Sequence, residues 1–278
     1  MKKHVLLFAV IAALAASCQK ADLNTSEGAY KFDFTFAAGG FGDTKSDATV
    51  GWTEGEKVFV FFQPAGGSLL GNSYAEFTYN GNGWTPDSYV APGALGASGV
   101  MAAVYVPYLG DKSPVFSGDS WTIDGGDVYY ACASGAAYTV EGSTVAGTLQ
   151  LAIPDGYVQF AVNPVSAEEG DVMACNYVDA YTCVTLSTDL TFSATAEPDK
   201  KMTGHADNGK VYFWGMFNGC TDDECEWVLT NKSGDMVLKV PADKVTKNTS
   251  YILTSMPAGA PDIFSTQHEG FGEGNLDW

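Results

Sequence analysis

The sequence predicts an all-β protein, and three observations carry the prediction. Short runs of alternating apolar and polar residues recur along the chain, broken by Gly, Asn, Asp and Pro. Long stretches with apolar residues at helical spacing are absent. The composition agrees: 32 Gly, 16 Phe and 14 Tyr among 278 residues, with only 17% charged, is the profile of β-sandwiches and barrels.

Residues 1–17 read as an export signal. Lys2 and Lys3 precede an apolar run from Val5 to Ala16. That run is shorter than the roughly 20 apolar residues a membrane-spanning helix needs, and it has the length of a signal-peptide core. It ends in Leu14-Ala15-Ala16-Ser17-Cys18, which resembles a bacterial lipobox. The resemblance implies cleavage before Cys18, acylation of its thiol, and an exported lipoprotein of a Gram-negative-type envelope. Membrane attachment then depends on Cys18 alone.

Loss of residues 1–17 leaves 261 residues, enough for one large or two ordinary domains. It also leaves 12 lysines, no arginine and 33 acids, a formal charge of −21. Such a surface lacks the cations that displace counterions from a phosphate backbone, which excludes nucleic acid as a partner.

Along the chain, residues 19–29 read as a polar tether. Tyr30-Lys-Phe-Asp-Phe-Thr-Phe36 then alternates strictly, placing Tyr30, Phe32, Phe34 and Phe36 on one face of a half-buried strand. A Gly-rich stretch around residues 37–47 follows, with Lys45 in a composition that favours proteolysis. Trp52 to Phe62 reads as a turn entering a buried strand. Further strands are expected at Ala75–Tyr79, Val100–Val106, Val128–Ala133, Val145–Ile153 and Tyr157–Val162, with Asn80-Gly81 and Asn82-Gly83 as hairpin punctuation. The pattern breaks between Pro164 and Gly170, a candidate boundary. Beyond it, strands are expected at Thr182–Leu186, Leu190–Ala194, Lys210–Phe217, Glu226–Thr230, Met236–Val240 and Ser250–Ser255. About six strands per half suggest two β-sandwiches in series. The expected organisation is a signal over 1–17, a tether and N-terminal strand over 18–45, and sandwiches over 46–165 and 166–278. The last, Gly- and Pro-rich part ends at Trp278.

Five cysteines follow Cys18. In an exported protein such residues can be oxidised in pairs: Cys220 with Cys225 would close one small loop, and Cys175 with Cys183 another. Cys132, in a strand-like run, reads as a small apolar residue. No Cys/His set has zinc spacing. Asp119, Asp124 and Asp127 do not match a calcium-loop pattern. No cofactor or metal is expected.

Several ordered motifs resemble those of the fimbrillin family, the type V pilins of gut and oral anaerobes. Trp52-x-x-Gly55-Glu56-Lys57-Val58-x-Val60 resembles the family's Trp-x-x-Gly-Asp-x-Ile segment. Val104-Tyr-Val-Pro-Tyr108 is similar to its aromatic-Pro-Tyr strand end, and Asp127-Val-Tyr-Tyr-Ala131 to its Asp-Leu-x-x-Ala segment. Val240-Pro-Ala-Asp-Lys-Val-Thr-Lys-Asn-Thr-Ser-Tyr-Ile-Leu253 resembles its Leu-Pro and Gly-x-x-Tyr-x-Leu close. The chain departs from the family at Glu56, where Asp is usual, at Asn248-Thr249, where a Gly-containing turn is usual, and in lacking a Phe-x-His element near Leu149–Phe160.

The resemblance implies two tandem transthyretin-like Greek-key β-sandwich domains. It also implies a life history of lipoprotein export, surface display at the outer membrane, removal of an N-terminal strand, and polymerisation with other fimbrial subunits by strand exchange. Family members are often cut after an arginine; Lys45 stands in that place here, so the expected cut is Lys45–Ser46. Removing Tyr30–Phe36 would expose an apolar groove with unpaired backbone groups, which a strand from the next subunit could fill. Four buried aromatic side chains at about 1.5–3 kcal/mol each would hold such a strand firmly. A lipid-retaining anchor subunit is the variant in which the strand stays.

A stationary lipoprotein that binds glycans or host proteins is the alternative. Its aromatic residues would be stacking platforms, although Trp52, Trp84, Trp121, Trp214 and Trp227 lie in or beside strands, where core packing is their usual fate. An enzyme is the third class. His205 and His268 stand in unrelated polar contexts, no nucleophile elbow or phosphate loop appears, and Asp222-Asp223-Glu224 and Glu168-Glu169 read as solvated acids. No catalytic residue is assigned.

Overall fold

The computed structural model describes residues 30–39, 52–125, 128–162, 167–197, 201–207, 209–232, 234–245, 247, 249–253 and 266–267. Cys18, Lys45, Ser46, Asp127 and His268 lie outside the described residues, as do the lipobox and the expected cleavage site. Among the described residues, a single 3-10 turn at Ala242–Lys244 is the only helical element. No helix there is long and apolar enough to cross a membrane.

The strands of the first half are β1 (Lys31–Gly39), β2 (Lys57–Pro64), β3 (Tyr74–Tyr79), β4 (Trp84–Ser88), β5 (Ser98–Tyr105), β6 (Val115–Ser117), β7 (Ser120–Ile123), β8 (Ala131–Glu141), β9 (Thr144–Ala152) and β10 (Tyr157–Val162). Those of the second are β11 (Val172–Cys175), β12 (Val178–Leu186), β13 (Phe192–Glu197), β14 (Met202–Thr203), β15 (His205–Asp207), β16 (Lys210–Phe217), β17 (Glu224–Asn231), β18 (Gly234–Pro241), β19 (Thr249–Leu253) and β20 (Thr266–Gln267).

One sheet has seven strands in the order β1-β9-β8-β5-β2-β3-β4. All its pairings are antiparallel except the outermost, where β1 runs parallel to β9 from Lys31↔Thr144 to Gly39↔Ala152. The β3–β4 turn follows from Asn80: its side-chain oxygen accepts the N–H of Asn82 and of Gly83, both at 3.0 Å. Pro86 lies in β4, an edge strand, where a missing N–H costs no ladder bond. Both faces of the sheet centre are covered. Val58, Val60 and Phe62 are buried on one side, and Phe59 and Phe61 on the other, under Trp121.

The second sheet system follows the path β18-β17-β11-β12-β16-β10-β19-β20 with short branches. The expected two-sandwich series meets a more connected architecture. The hairpin β6–β7 of the first half pairs with β12 of the second. The larger core takes Tyr181, Val184, Leu186, Leu190 and Trp214 from beyond residue 170. A smaller core forms around Phe160, Met173, Phe213 and Trp227. Residues 128–130, expected as strand, are instead a buried crossing. Tyr129 packs on Trp214 at 4.2 Å, and the Tyr181 hydroxyl donates to the Tyr129 carbonyl at 3.0 Å.

Oxidation of Cys175 with Cys183 is ruled out by register. The β11–β12 hairpin pairs Cys175 with Val178. Cys183 lies five residues farther along β12, about 16 Å at 3.3 Å per residue, beyond the Cα separation a disulfide spans.

Candidate functional site

The four aromatic residues of the N-terminal strand come together as their spacing predicts, and they meet the opposite end of their own sheet. β1 is bonded to β9 at one edge, yet its rings touch β2, β3 and β4 at the other. Phe32 lies 5.9 Å from Phe62 and 5.7 Å from Phe77, and Phe34 lies 5.4 Å from Phe77. Phe36 lies 5.0 Å from Phe77 and 5.1 Å from Trp84. A sheet whose two edges meet through side chains is curled upon itself. Here the seam is closed by rings rather than by a backbone ladder.

Burial along β1 is graded. Phe36 is 1% exposed, while Tyr30, Phe32 and Phe34 are half-buried, and Lys31, Asp33 and Thr35 on the opposite face are exposed. The apolar contribution of this strand is therefore smaller than four fully buried rings would supply, because three of them keep part of their surface in water.

The N-terminal end of the strand is fixed by polar contacts. The N–H of Leu95 donates to the Tyr30 hydroxyl at 3.2 Å, and the Tyr138 hydroxyl donates to the Leu95 carbonyl at 2.9 Å. Leu95 is fully buried, so both its peptide groups need such partners. Lys31 N–H adds a bond of 2.8 Å to the carbonyl of Ser143, in the β8–β9 turn. Burial pushes the Tyr138 hydroxyl up to about 12, with the nearby Tyr30 adding to the effect. Gly99 makes room for Tyr138: a Cβ there would lie 2.6 Å from the Tyr138 hydroxyl and 2.3 Å from the Gln63 carbonyl.

At the far end, Phe36 meets an aromatic cluster built by the tryptophan motif. Trp52 packs edge-on against Trp84 at 4.9 Å and against Tyr105 at 5.0 Å. Gly55 takes φ +92°, a conformation that favours glycine, and donates its N–H to Tyr79 at 2.8 Å. Glu56, where the resembled family has Asp, joins the turn to the core. One carboxylate oxygen accepts the Thr53 N–H at 2.7 Å, and the other accepts the Tyr105 hydroxyl. Burial holds the Tyr105 hydroxyl well above the usual tyrosine range, with Tyr129 and Glu56 adding to it. Trp52 thus lies in an aromatic cluster that reaches the Phe36 end of β1 through Trp84.

Sequence reasoning missed the receiving side of this seam. Trp84 and β4 carried no alternation strong enough to announce a strand, although the Asn-Gly pairs before them marked the turn. Leu95, Gly99 and Tyr138 gave no signal, since their roles arise only when remote segments meet.

The tryptophans offered as stacking platforms go to packing. Trp52, Trp121, Trp214 and Trp227 are buried among other rings, and Trp84 is half-buried against Trp52 and Phe36. Glu168 and Glu169, expected as solvated acids, pair with Lys232 at 2.6 Å and with His205 at 3.4 Å, and Asp124, which fits no calcium-loop pattern, pairs with Lys112 at 3.2 Å. Among the described residues, no group of three His, Cys, Asp or Glu is placed to hold a metal ion.

No protein-family model matches the sequence, and no curated protein sequence matches it. Solved structures do. One is described as a candidate cell adhesion protein from Bacteroides ovatus, 9% identical with a TM-score of 0.48, over 89% of this chain and 100% of that one. Another, described in the same terms, is from Bacteroides uniformis, 14% identical with a TM-score of 0.45, over 85% and 97% of the two chains. A fimbrial assembly protein from Parabacteroides distasonis is 13% identical with a TM-score of 0.38, over 80% and 89%.

Proposed function

We propose that this chain is a structural and adhesive subunit of a cell-surface fimbrium, whose N-terminal strand is a removable plug. The observation that carries the reading is the position of β1. It is an edge strand with one ladder partner, and its aromatic face fills a seam between the two edges of a curled sheet. Without it, Phe62, Phe77 and Trp84 lose their cover on one side, and β9 presents a row of unpaired backbone groups. A strand from another subunit restores both the ladder and the aromatic contacts.

Export as a lipoprotein acylated at Cys18 delivers the chain to the outer membrane. Cleavage at Lys45–Ser46 then frees the body from the lipid and from β1 together, since both lie on the N-terminal side of the cut. The partners are other fimbrial subunits, and the membrane before processing. The reading needs no cofactor and no catalytic residue.

The test is a comparison of two purified chains, one beginning at Gln19 and one at Ser46, by size-exclusion chromatography with light scattering. The longer chain is expected to be a monomer, because its own β1 fills the seam. The shorter is expected to form higher oligomers, and to be returned to a monomer by a peptide spanning residues 28–40. A shorter chain that stays monomeric and folded without the peptide overturns the reading.

A further inference from the structure

Three of the five described thiols gather where β16 hands over to β17. Cys225 is the second residue of β17, fully buried, and in the same core as Trp227 and Leu229. Cys175 ends β11 directly opposite Trp227 in the ladder, so it shares that face and lies diagonal to Cys225. Cys220 sits in the connecting loop and packs against the same core. The Cys220 sulfur donates to the carbonyl of Asp222 at 3.5 Å, in the stretch that leads to Cys225.

The loop that brings them together is held from outside. Asn218 donates its N–H to the Tyr177 carbonyl at 2.9 Å and its side-chain amide to Asp179 at 2.6 Å. The Tyr177 and Thr221 hydroxyls bond at 3.1 Å, and the Ala242 N–H reaches the Asp223 carbonyl at 2.9 Å. The loop that lays Cys220 against the core of Cys225 is therefore fixed by bonds that involve neither sulfur.

We propose that Cys220 and Cys225 form a disulfide that closes the β16–β17 loop, and that Cys132, Cys175 and Cys183 remain thiols. The oxidant is a disulfide, small or protein-borne. Cys220, in the loop and partly exposed, attacks one of its sulfur atoms as the thiolate. A Cys220–S mixed disulfide forms and one thiol leaves. Cys225 then attacks the Cys220 sulfur and passes its proton to the departing sulfur, forming the intrachain bond and expelling the second thiol. Two protein thiols are oxidised and one external disulfide is reduced to two thiols.

Cys175 is set apart by where its sulfur points, and Cys132 and Cys183 by their place in the fold. Cys175 directs its sulfur to the Asn176 side-chain oxygen at 3.7 Å, and burial pushes its thiol up to about 12. Burial likewise pushes Cys132 up to about 11, on β8 in the other sheet. Burial raises the Cys225 thiol as well, which leaves the first attack to Cys220. Cys183 is remote from Cys175 along β12, as its register shows.

The test oxidises the full chain with glutathione disulfide, quenches with acid, alkylates under denaturing conditions without reductant, and cleaves after Glu224. The expected result is one pair of peptides joined only through Cys220 and Cys225, with alkyl groups on Cys132, Cys175 and Cys183. The Cys175→Ser chain is expected to form the same bond, and the Cys220→Ser chain to form none. Alkylation of both Cys220 and Cys225 after oxidation overturns the proposal, as does a joined pair that includes Cys175.

Discussion

The buried N–H of Leu95 finds its acceptor in the hydroxyl of Tyr30, 3.2 Å away and 65 residues earlier in the chain. That bond ties the start of the N-terminal strand to the loop between β4 and β5. It also makes Tyr30 different in kind from Phe32, Phe34 and Phe36, which contribute apolar contact alone.

Tyr30→Phe keeps the ring and removes the acceptor. Leaving a buried donor unpaired costs about 1–3 kcal/mol. Urea denaturation of the chain beginning at Gln19 is expected to show that loss with an unchanged slope. No change in midpoint would mean that Leu95 finds another acceptor and that Tyr30 does not anchor the strand.

The graded burial of β1 predicts a graded response to truncation. Phe36→Ala removes a fully buried ring and is expected to cost about 3–5 kcal/mol. Phe32→Ala removes a half-buried one and should cost about half as much. Equal losses, or a larger one at Phe32, would contradict the position of the strand in the seam.

Alkaline pH reports on the buried hydroxyls. Burial raises Tyr105, Tyr130 and Tyr157 in the folded protein above the ordinary tyrosine value of about 10. The folded state then holds protons that the unfolded state has released. This contribution to stability is complete below pH of about 10 and drains away as pH rises toward the folded values. Tyrosinate absorbance should therefore rise in two stages, the second coinciding with loss of near-ultraviolet dichroism. A single stage with the fold intact would contradict the assigned burial.

The C-terminal segment is a candidate for the strand that enters a neighbour's seam. Its described part, β20, makes a two-residue pairing with β19, Ile252↔Gln267 and Leu253↔Thr266, at the end of the second sheet. Deleting residues 263–278 is expected to leave a folded monomer and to abolish assembly of chains that begin at Ser46. Normal oligomers from that deletion would assign the donor to another segment.

Much of the fold was legible because β-sheet alternation is a local signal. Tyr30 to Phe36 reads correctly as a strand with one aromatic face, and Asn80 to Gly83 as a hairpin turn, since each depends on neighbours within a few residues. Elements with weak local signals did not show. β4 carries a proline, β6 and β7 are three and four residues long, and each is stabilised by what it meets: Trp84 by Trp52 and Phe36, Trp121 by Phe61 and Tyr74. The β7–β12 pairing did not show for the same reason, because it links residues about 60 positions apart, a long-range contact no local pattern encodes. At the seam the plug was visible and the socket was not.

The most direct test of the account is the N-terminal residue and intact mass of the protein recovered from the cell surface. The account predicts an assembled form that begins at Ser46 and carries no lipid, alongside a precursor acylated at Cys18. Recovery of acylated chains beginning at Cys18, and nothing shorter, would contradict it, because the N-terminal strand would then still fill its own seam.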